Sequence, residues 1–375
     1  MPKSDTNSIK RIFDLYTSDL SVDEIERLIK KESADVYKYF AKDTVKQDKN
    51  RNKFFRALIF LRNLFNAFVL RLTPARRILY LAAIFIFFIG YIQNFDGYLL
   101  FSFLMINLLL AFELADKLTA KDEITLARKI QDSLIPQKPP ANNNYDISCF
   151  YESANDVSGD YFDFIPEKDN KLIFVIGDIS GKGLPAALYM VRAQAIIHSL
   201  LNHFDDLRNV VNNLKTYFCE NLQPGFFLTL SAAKIDQKGE LKFFRAGHTP
   251  ALLYKYAENK FYDISPKGMG IGLKDNGMFS DILEEKTLHT SSGDIVMFYT
   301  DGITDTQNPD MQQFGMAPVK EIIRAHSEKS SEEIKDKLME KLNNFRKTKD
   351  GNDDITFVIF KRKEKQVISE AASSK

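Results

Sequence analysis

The sequence predicts an α+β sandwich preceded by an apolar helical hairpin, and three observations predict it. Two runs without a charged residue, 78–92 and 98–112, lie close together near the N-terminus. From about residue 145 the chain changes to short β-rich runs with helices in separate blocks rather than in strict alternation. The apolar runs of that second half carry aspartates at their ends.

Composition sets the outer bounds. The chain has 375 residues, 45% hydrophobic and 27% charged, which excludes wholesale disorder and collagen-like repeats and leaves room for two or three folded units. Cys149 and Cys219 cannot build a disulfide framework or a Cys-rich zinc site, and they suit a reducing compartment. A net charge of +1 argues against bulk capture of nucleic acid. A mean hydropathy of −0.24 excludes a many-spanning transporter but leaves room for one or two spans.

The charge is unevenly spread. Residues 46–77 carry nine basic side chains against Asp48 alone, while the chain from residue 78 onward is net −6. A basic block directly before an apolar stretch is a membrane pattern. Residues 1–72 read as a helical cytoplasmic region, with a capping box at Ser21–Glu24 opening a helix through about Phe40. Residues 54–72 are apolar but interrupted by Arg56, Arg62, Asn63, Asn66 and Arg71, which fits a helix on the membrane surface and equally a helix packed on the same small domain.

Residues 73–112 read as a two-helix transmembrane hairpin, with spans at about 74–93 and 97–113 and a turn built on Asp96–Gly97. Thr73 is the expected N-cap and Pro74 the first helical residue. Arg71, Arg76 and Arg77 precede the hairpin and Lys117 and Lys121 follow it. Both termini are therefore expected in the cytoplasm, with the chain held in the inner (cytoplasmic) membrane. Residues 113–135 read as a linker helix, ended by Pro136, Pro139 and Pro140. A second domain is expected over 145–362 and a disordered tail over 363–375.

Within that domain, 172–178, 226–236, 241–247, 251–257, 294–301 and 354–360 read as strands. Residues 184–201, 205–222, 317–326 and 331–346 read as helices. Asp178 and Asp301 end apolar strands, Asp353 and Asp354 open the last one, and Asp160 sits in VSGDYFDF. Clustered carboxylates repel unless cations neutralise them, and hard divalent ions such as Mg²⁺ or Mn²⁺ prefer oxygen ligands. Two such ions about 3.5–4 Å apart generate a hydroxide at neutral pH. Taken singly, each aspartate is an ordinary turn residue, and Asp163, Asp275 and Asp305 are read that way. The five histidines lack zinc spacing, GDISGKG is not a P-loop, and no G-x-S-x-G elbow is present.

The segments ARKIQDSLIP (127–136), DVSGDYFDF (156–164), FVIGDISGKGLPAAL (174–188), RAGHTPALL (245–253), MFYTDGITD (297–305) and DDITFVIF (353–360) together resemble the PPM-type metal-dependent serine/threonine phosphatases. The likeness is to the bacterial SpoIIE-like branch, which controls sigma factors by partner switching, and it covers residues 123–362. It implies an αββα four-layer sandwich with two Mn²⁺ or Mg²⁺ ions at one rim. Asp178 would bridge the ions, the backbone carbonyl of Ile179 would complete one coordination shell, and Asp160, Asp301 and Asp353 would bind around them, with Asp354 as the alternative to its neighbour. A hydroxide between the metals would attack the phosphoserine or phosphothreonine phosphorus directly.

No arginine matches the phosphate-binding position of the eukaryotic members, which leaves Lys182, Arg192 and His248 as candidates. For His248 a packing role in its turn is the stronger reading. Gly159, Gly181 and Gly183 are expected to permit tight turns beside the ions. The implied substrate is a phosphorylated STAS-type anti-sigma-factor antagonist, with a homodimer through the linker helix as a further expectation. The competing readings are a non-catalytic membrane-tethered binding module of the same fold and a metal-dependent small-molecule phosphoesterase.

Overall fold

The computed structural model describes residues 53–274, 276–347 and 353–364. The helix expected over 21–40, the turn residue Asp275 and nearly all of the expected tail lie outside the described residues. The chain divides into two units, one up to Thr119 and one from Ala120.

The described part of the first unit is helical: α1 (Lys53–Arg71), α2 (Pro74–Gln93) and the start of α3 (Asp96–Leu134). The start of α2 follows the sequence signal only in part. Pro74 opens it, but the Thr73 hydroxyl makes no capping bond, and only its carbonyl accepts, from Arg77 N–H at 2.9 Å. Arg77 instead spends its guanidinium on the end of α1, donating to the carbonyls of Val69, Leu70 and Leu72 at 3.1, 3.0 and 3.3 Å. Carbonyls at a helix end lack intrahelical partners, and a cation suits that end of the dipole.

The α2–α3 turn also differs from expectation. Asn94 takes the left-handed conformation (φ 50°) with its N–H bonded to Gly90 O, and Asp96 already belongs to α3. Close contact of the two helices is permitted by Gly90, where a Cβ would lie 2.8 Å from Tyr98 Cβ, and Ser102 Oγ donates to Ala83 O at 2.9 Å. The second apolar run and the linker form one 39-residue helix, since nothing between 98 and 134 breaks it.

The second unit is two five-stranded sheets. One has the order β1 (Tyr145–Glu152), β10 (Ile355–Arg362), β9 (Ile295–Tyr299), β6 (Ala251–Lys255), β7 (Lys260–Ile264). The other has the order β2 (Asp160–Pro166), β3 (Leu172–Ile179), β4 (Leu228–Ile235), β5 (Leu241–Ala246), β8 (Glu285–Leu288). All paired neighbours are antiparallel.

Helices α4 (Leu184–Leu201) and α5 (Leu207–Asn221) pack on the β2–β8 sheet, α4 through Ala186, Ala187, Met190, Ala193 and Ile197. Short α6 (Phe279–Ile282) and α7 (Gly302–Asp305) lie in connections. Helices α8 (Met316–Ala325) and α9 (Ser331–Arg346) cover the β1–β7 sheet. This is the expected α+β architecture, with helices outside and the sheets face to face.

The core between the sheets is aromatic. Phe174 on β3 is fully buried, with its ring centroid 5.4 Å from Phe164, 5.3 Å from Phe298 and 5.1 Å from Phe360. Phe164 belongs to its own sheet and the other two to the facing sheet, so one ring joins both. Beneath α8 and α9 a second cluster sets Ile334, Leu338, Leu342, Val319 and Ile323 against Met297, Phe357 and Ile359. Phe174→Ala is expected to cost about 3–5 kcal/mol of stability, as for other buried aromatics. A lowered urea midpoint with unchanged slope checks it.

Candidate metal and phosphoryl-transfer site

Antiparallel pairing sets the site. Asp160 opens β2 directly opposite Asp178 near the end of β3, and Asp178 in turn faces Thr229 on β4. On the other sheet Thr300 and Asp301 follow β9, and Asp353 and Asp354 precede its neighbour β10. The structure thus brings the ends of four strands, from both sheets, to one rim.

Asp160 is almost wholly buried and crosses between the sheets: its Oδ2 accepts from Thr300 Oγ1 at 2.8 Å and from Thr356 Oγ1 at 2.6 Å. Burial, then the charges of Asp178 and Asp354, push its proton affinity far above the usual carboxylate range. Asp178 is pushed up to about 7 by burial, then by Asp301 and Asp353, while Asp301 is raised by burial, then by Asp305 and Asp353. Carboxylates that repel one another in this way can be neutralised by a cation with oxygen ligands.

The Asp353–Asp354 pair divides its labour. Asp354 Oδ1 accepts from Ala154 N–H at 2.8 Å, and its Oδ2 accepts from Ser158 Oγ at 2.7 Å and Gly159 N–H at 3.0 Å. It binds the 154–159 loop. Asp353 faces the rim, where Lys182 Nζ lies 2.8 Å from its Oδ2. Of the two, Asp354 is committed to the loop and Asp353 is the one open at the rim.

Gly159 is needed for space rather than for a turn conformation: a Cβ there would lie 2.9 Å from Ile179 O and 3.2 Å from Asp178 Oδ1. Those two oxygens, both expected ligands, border the space that Gly159 leaves open. At Gly302 a Cβ would lie 1.8 Å from Asp354 O, so the residue after Asp301 must be glycine for the two loops to meet. Gly181 and Gly183 do adopt positive φ, 101° and 73°.

The donor chemistry fits hard divalent cations: Asp160, Asp178, Asp301, Asp353 and the Ile179 carbonyl are all oxygen donors. Among the described residues no three acidic, His or Cys side chains converge on a single point. The carboxylates line the rim, with Lys182 drawn against Asp353.

Two candidate phosphate ligands are committed elsewhere. Arg192 donates to Tyr217 OH at 3.0 Å and Asn221 O at 3.3 Å, stacking on the Tyr217 ring. His248 is 4% exposed, shares a 3.0 Å hydrogen bond with Thr229 Oγ1, and is lowered to about 3, mostly by burial, so it is a neutral packing residue. Asp163 is no simple turn residue: buried on β2, it accepts from Tyr161 OH at 2.9 Å and lies 2.6 Å from His198 Nε2.

Three contributors, Thr300, Thr356 and Gln131, lie inside the motifs MFYTDGITD, DDITFVIF and ARKIQDSLIP, but nothing in those motifs assigns them a role. Gln131, in the last turn of α3, is buried; its Nε2 donates to Ser158 O at 2.7 Å and its Oε1 accepts from Ser158 N–H at 3.0 Å. Ser158 Oγ in turn accepts from Asp160 N–H at 3.0 Å, so the end of the helix is hydrogen-bonded to a residue that itself holds a rim carboxylate's backbone.

A two-sheet sandwich with aspartates at the rim is the arrangement of the PP2C (PPM) class. The family model for Stage II sporulation protein E (SpoIIE) matches residues 168–363, more than half of the chain, and the chain belongs to that family. The matched stretch contains Asp178, Asp301 and Asp353, while Asp160 lies just before it.

The chain is 29% identical over 251 residues to the phosphoserine phosphatase RsbU of Bacillus subtilis, covering 65% of this chain and 71% of that protein. It is 22% identical over 251 residues to RsbP of the same organism, covering 65% of this chain and 58% of that one. Among solved structures, the SiaA-PP2C domain of Pseudomonas aeruginosa superposes with a TM-score of 0.58 at 18% identity, covering 66% of this chain and 98% of that one, and shares the fold.

Thr356→Val removes one of the two hydroxyls that orient Asp160. The expected result is a loss of about 1–3 kcal/mol in stability, the cost of losing one of two hydrogen bonds to a buried carboxylate, and Mn²⁺ binding weakened about tenfold. Calorimetric titration beside a urea melt measures both.

Proposed function

We propose that this chain is a membrane-anchored, metal-dependent protein phosphatase that hydrolyses phosphoserine or phosphothreonine on a regulatory protein of the STAS type. The rim itself carries the reading: carboxylates from both sheets, raised by burial and by one another, in a chain of the SpoIIE family. The names of RsbU and RsbP as phosphoserine phosphatases support the reaction class, and the partner-switching resemblance supports the substrate.

The family resemblance assigns Asp178 the central place in the ligand set, and its position agrees: Asp160 flanks it in its own sheet and the charges of Asp301 and Asp353 reach it from the other. Asp160, Asp178, Asp301, Asp353 and the Ile179 carbonyl would hold the ions. Bound there, Mn²⁺ or Mg²⁺ would supply a water acidified enough to attack phosphorus at neutral pH and would neutralise the phosphoryl oxygens. In the displacement a new P–O bond forms from water, the bond to the serine oxygen breaks, and that oxygen leaves with the electron pair and takes a proton. Inorganic phosphate is the second product. No side-chain nucleophile is needed.

The anchoring rests on α2 and α3, both long and apolar enough to cross a membrane. Large apolar side chains stand exposed all around them, among them Ile78 (71%), Phe85 (67%), Ile92 (77%), Phe103 (61%) and Leu110 (62%). A water-soluble hairpin would hide such a surface. A third helix of that length and hydropathy, α4, packs on a sheet of the sandwich. On α3, Leu114, Leu118, Leu126 and Ile130 are exposed at near-helical spacing, which favours pairing with a second copy of the chain.

Asp178→Asn is expected to lower Mn²⁺-dependent release of phosphate from a phosphoserine-bearing STAS protein by about 100-fold or more. Equal turnover of wild type and variant removes the carboxylate-site reading, and faster wild-type turnover of free phosphoserine than of the phosphoprotein favours the small-molecule alternative.

Control is proposed to pass along α3. Inserting two residues near Lys121 turns the C-terminal part of the helix by roughly 200° at 3.6 residues per turn, whereas seven nearly restore phase. Phosphatase output in membranes is expected to change far more with the two-residue insertion. Equal output from both and from the parent would mean that the helix only tethers.

A further inference from the structure

Lys182 sits between two glycines in left-handed backbone, and its side chain reaches the rim from the β3–α4 connection. Its Nζ lies 2.8 Å from Asp353 Oδ2, and both side chains are substantially exposed, 59% and 41%. The same charge acts on Asp178 and Asp301, where it opposes their proton uptake. Four other basic groups of the sandwich are engaged elsewhere. Arg192 binds α5, His248 is buried and neutral, Arg346 pairs with Glu152, and Arg362 donates to the Lys238 and Gly239 carbonyls. Among the described residues, Lys182 is the basic group that pairs with a rim carboxylate.

An exposed pair of this kind is weak, so a divalent ion with several oxygen ligands displaces it readily. A lysine carries a compact charge on a flexible stem and is a common ligand for phosphate oxygens. We propose that Lys182 competes with a divalent cation for Asp353 and, once displaced, places its ammonium on the phosphoryl oxygens of the substrate. The second half rests on the phosphatase reading above; the first half does not. No covalent step involves the lysine.

The test uses the full chain and the variants Lys182→Met and Lys182→Arg. Mn²⁺ titration by calorimetry, without substrate, reads the competition: Lys182→Met is expected to bind Mn²⁺ about two- to fivefold more tightly, the range that losing an exposed ion pair permits. Steady-state kinetics on a phosphoserine protein reads the anchor. Lys182→Met is expected to raise KM about tenfold or more, with kcat changed less than about threefold, and to weaken inhibition by inorganic phosphate in parallel. Lys182→Arg keeps the charge and is expected to recover most of the KM loss. Unchanged or weaker Mn²⁺ binding by Lys182→Met overturns the competition, and an unchanged KM overturns the anchor. A wild-type chain that binds Mn²⁺ but releases no phosphate would defeat the phosphatase reading and with it the anchor, while calorimetry would still decide the competition.

Discussion

The site depends on one carboxylate that joins two sheets. Asp160 belongs to the β2–β8 sheet, yet both hydroxyls that hold its Oδ2 come from the other sheet, from Thr300 after β9 and Thr356 on β10. The two threonines are tied to each other: Thr356 N–H donates to Thr300 Oγ1 at 3.0 Å, and Thr300 N–H donates to Thr356 O at 2.9 Å. A buried carboxylate with no such partners would cost several kcal/mol or be neutralised by a proton. Here the hydrogen bonds offset part of the desolvation and fix where the remaining oxygen points. The aromatic core around Phe174 sets the spacing of the sheets, and Asp160 ties the two sheets together at the rim.

Asp354 makes a second tie of the same kind, from the start of β10 to the loop that precedes β2. The contacts separate the adjacent aspartates: Asp354 is held by the loop, while Asp353 meets Lys182 at the rim.

Much of this is legible in the sequence because long apolar runs announce their own ends. Asp178, Asp301 and Asp353 terminate such runs, and helices 184–201 and 331–346 have the bounds that their composition suggests. The strand beginning at Asp160 is less visible, since DYFDFIP carries two acids within a buried strand and Asp163 is accommodated only through Tyr161 and His198. Edge strands β7 and β8, KFYDI and EKTL, are too polar and short to stand out. Strand β1 shows in the sequence only as a domain start, although its partner β10 is unmistakable. Thr300, Thr356 and Gln131 act on residues 140, 196 and 27 positions away, and local pattern carries no information on such partners.

The electrostatics of the rim explain why a fold would keep so costly an arrangement. A carboxylate whose proton affinity is raised on folding stabilises the native state at low pH. That contribution is lost as pH rises from the ordinary carboxylate range through the raised value, which for Asp178 is about 7. Without cations the rim therefore opposes folding most strongly at neutral and alkaline pH, where its carboxylates ionise. A divalent ion bound at the proposed site would reverse the sign: it would bind the ionised form, remove the repulsion and add its own binding free energy to the stability of the native state. Metal uptake and proton release would then be one equilibrium, and the ties that Thr300, Thr356 and Ser158 make would hold the rim in place on either side of it. Rigid positions with unrelieved charge bind a cation more tightly than flexible ones, because little ordering remains to oppose the attraction. The hydrogen bonds that join the two sheets at Asp160 and Asp354 would serve the proposed metal site in this sense as much as they serve the fold.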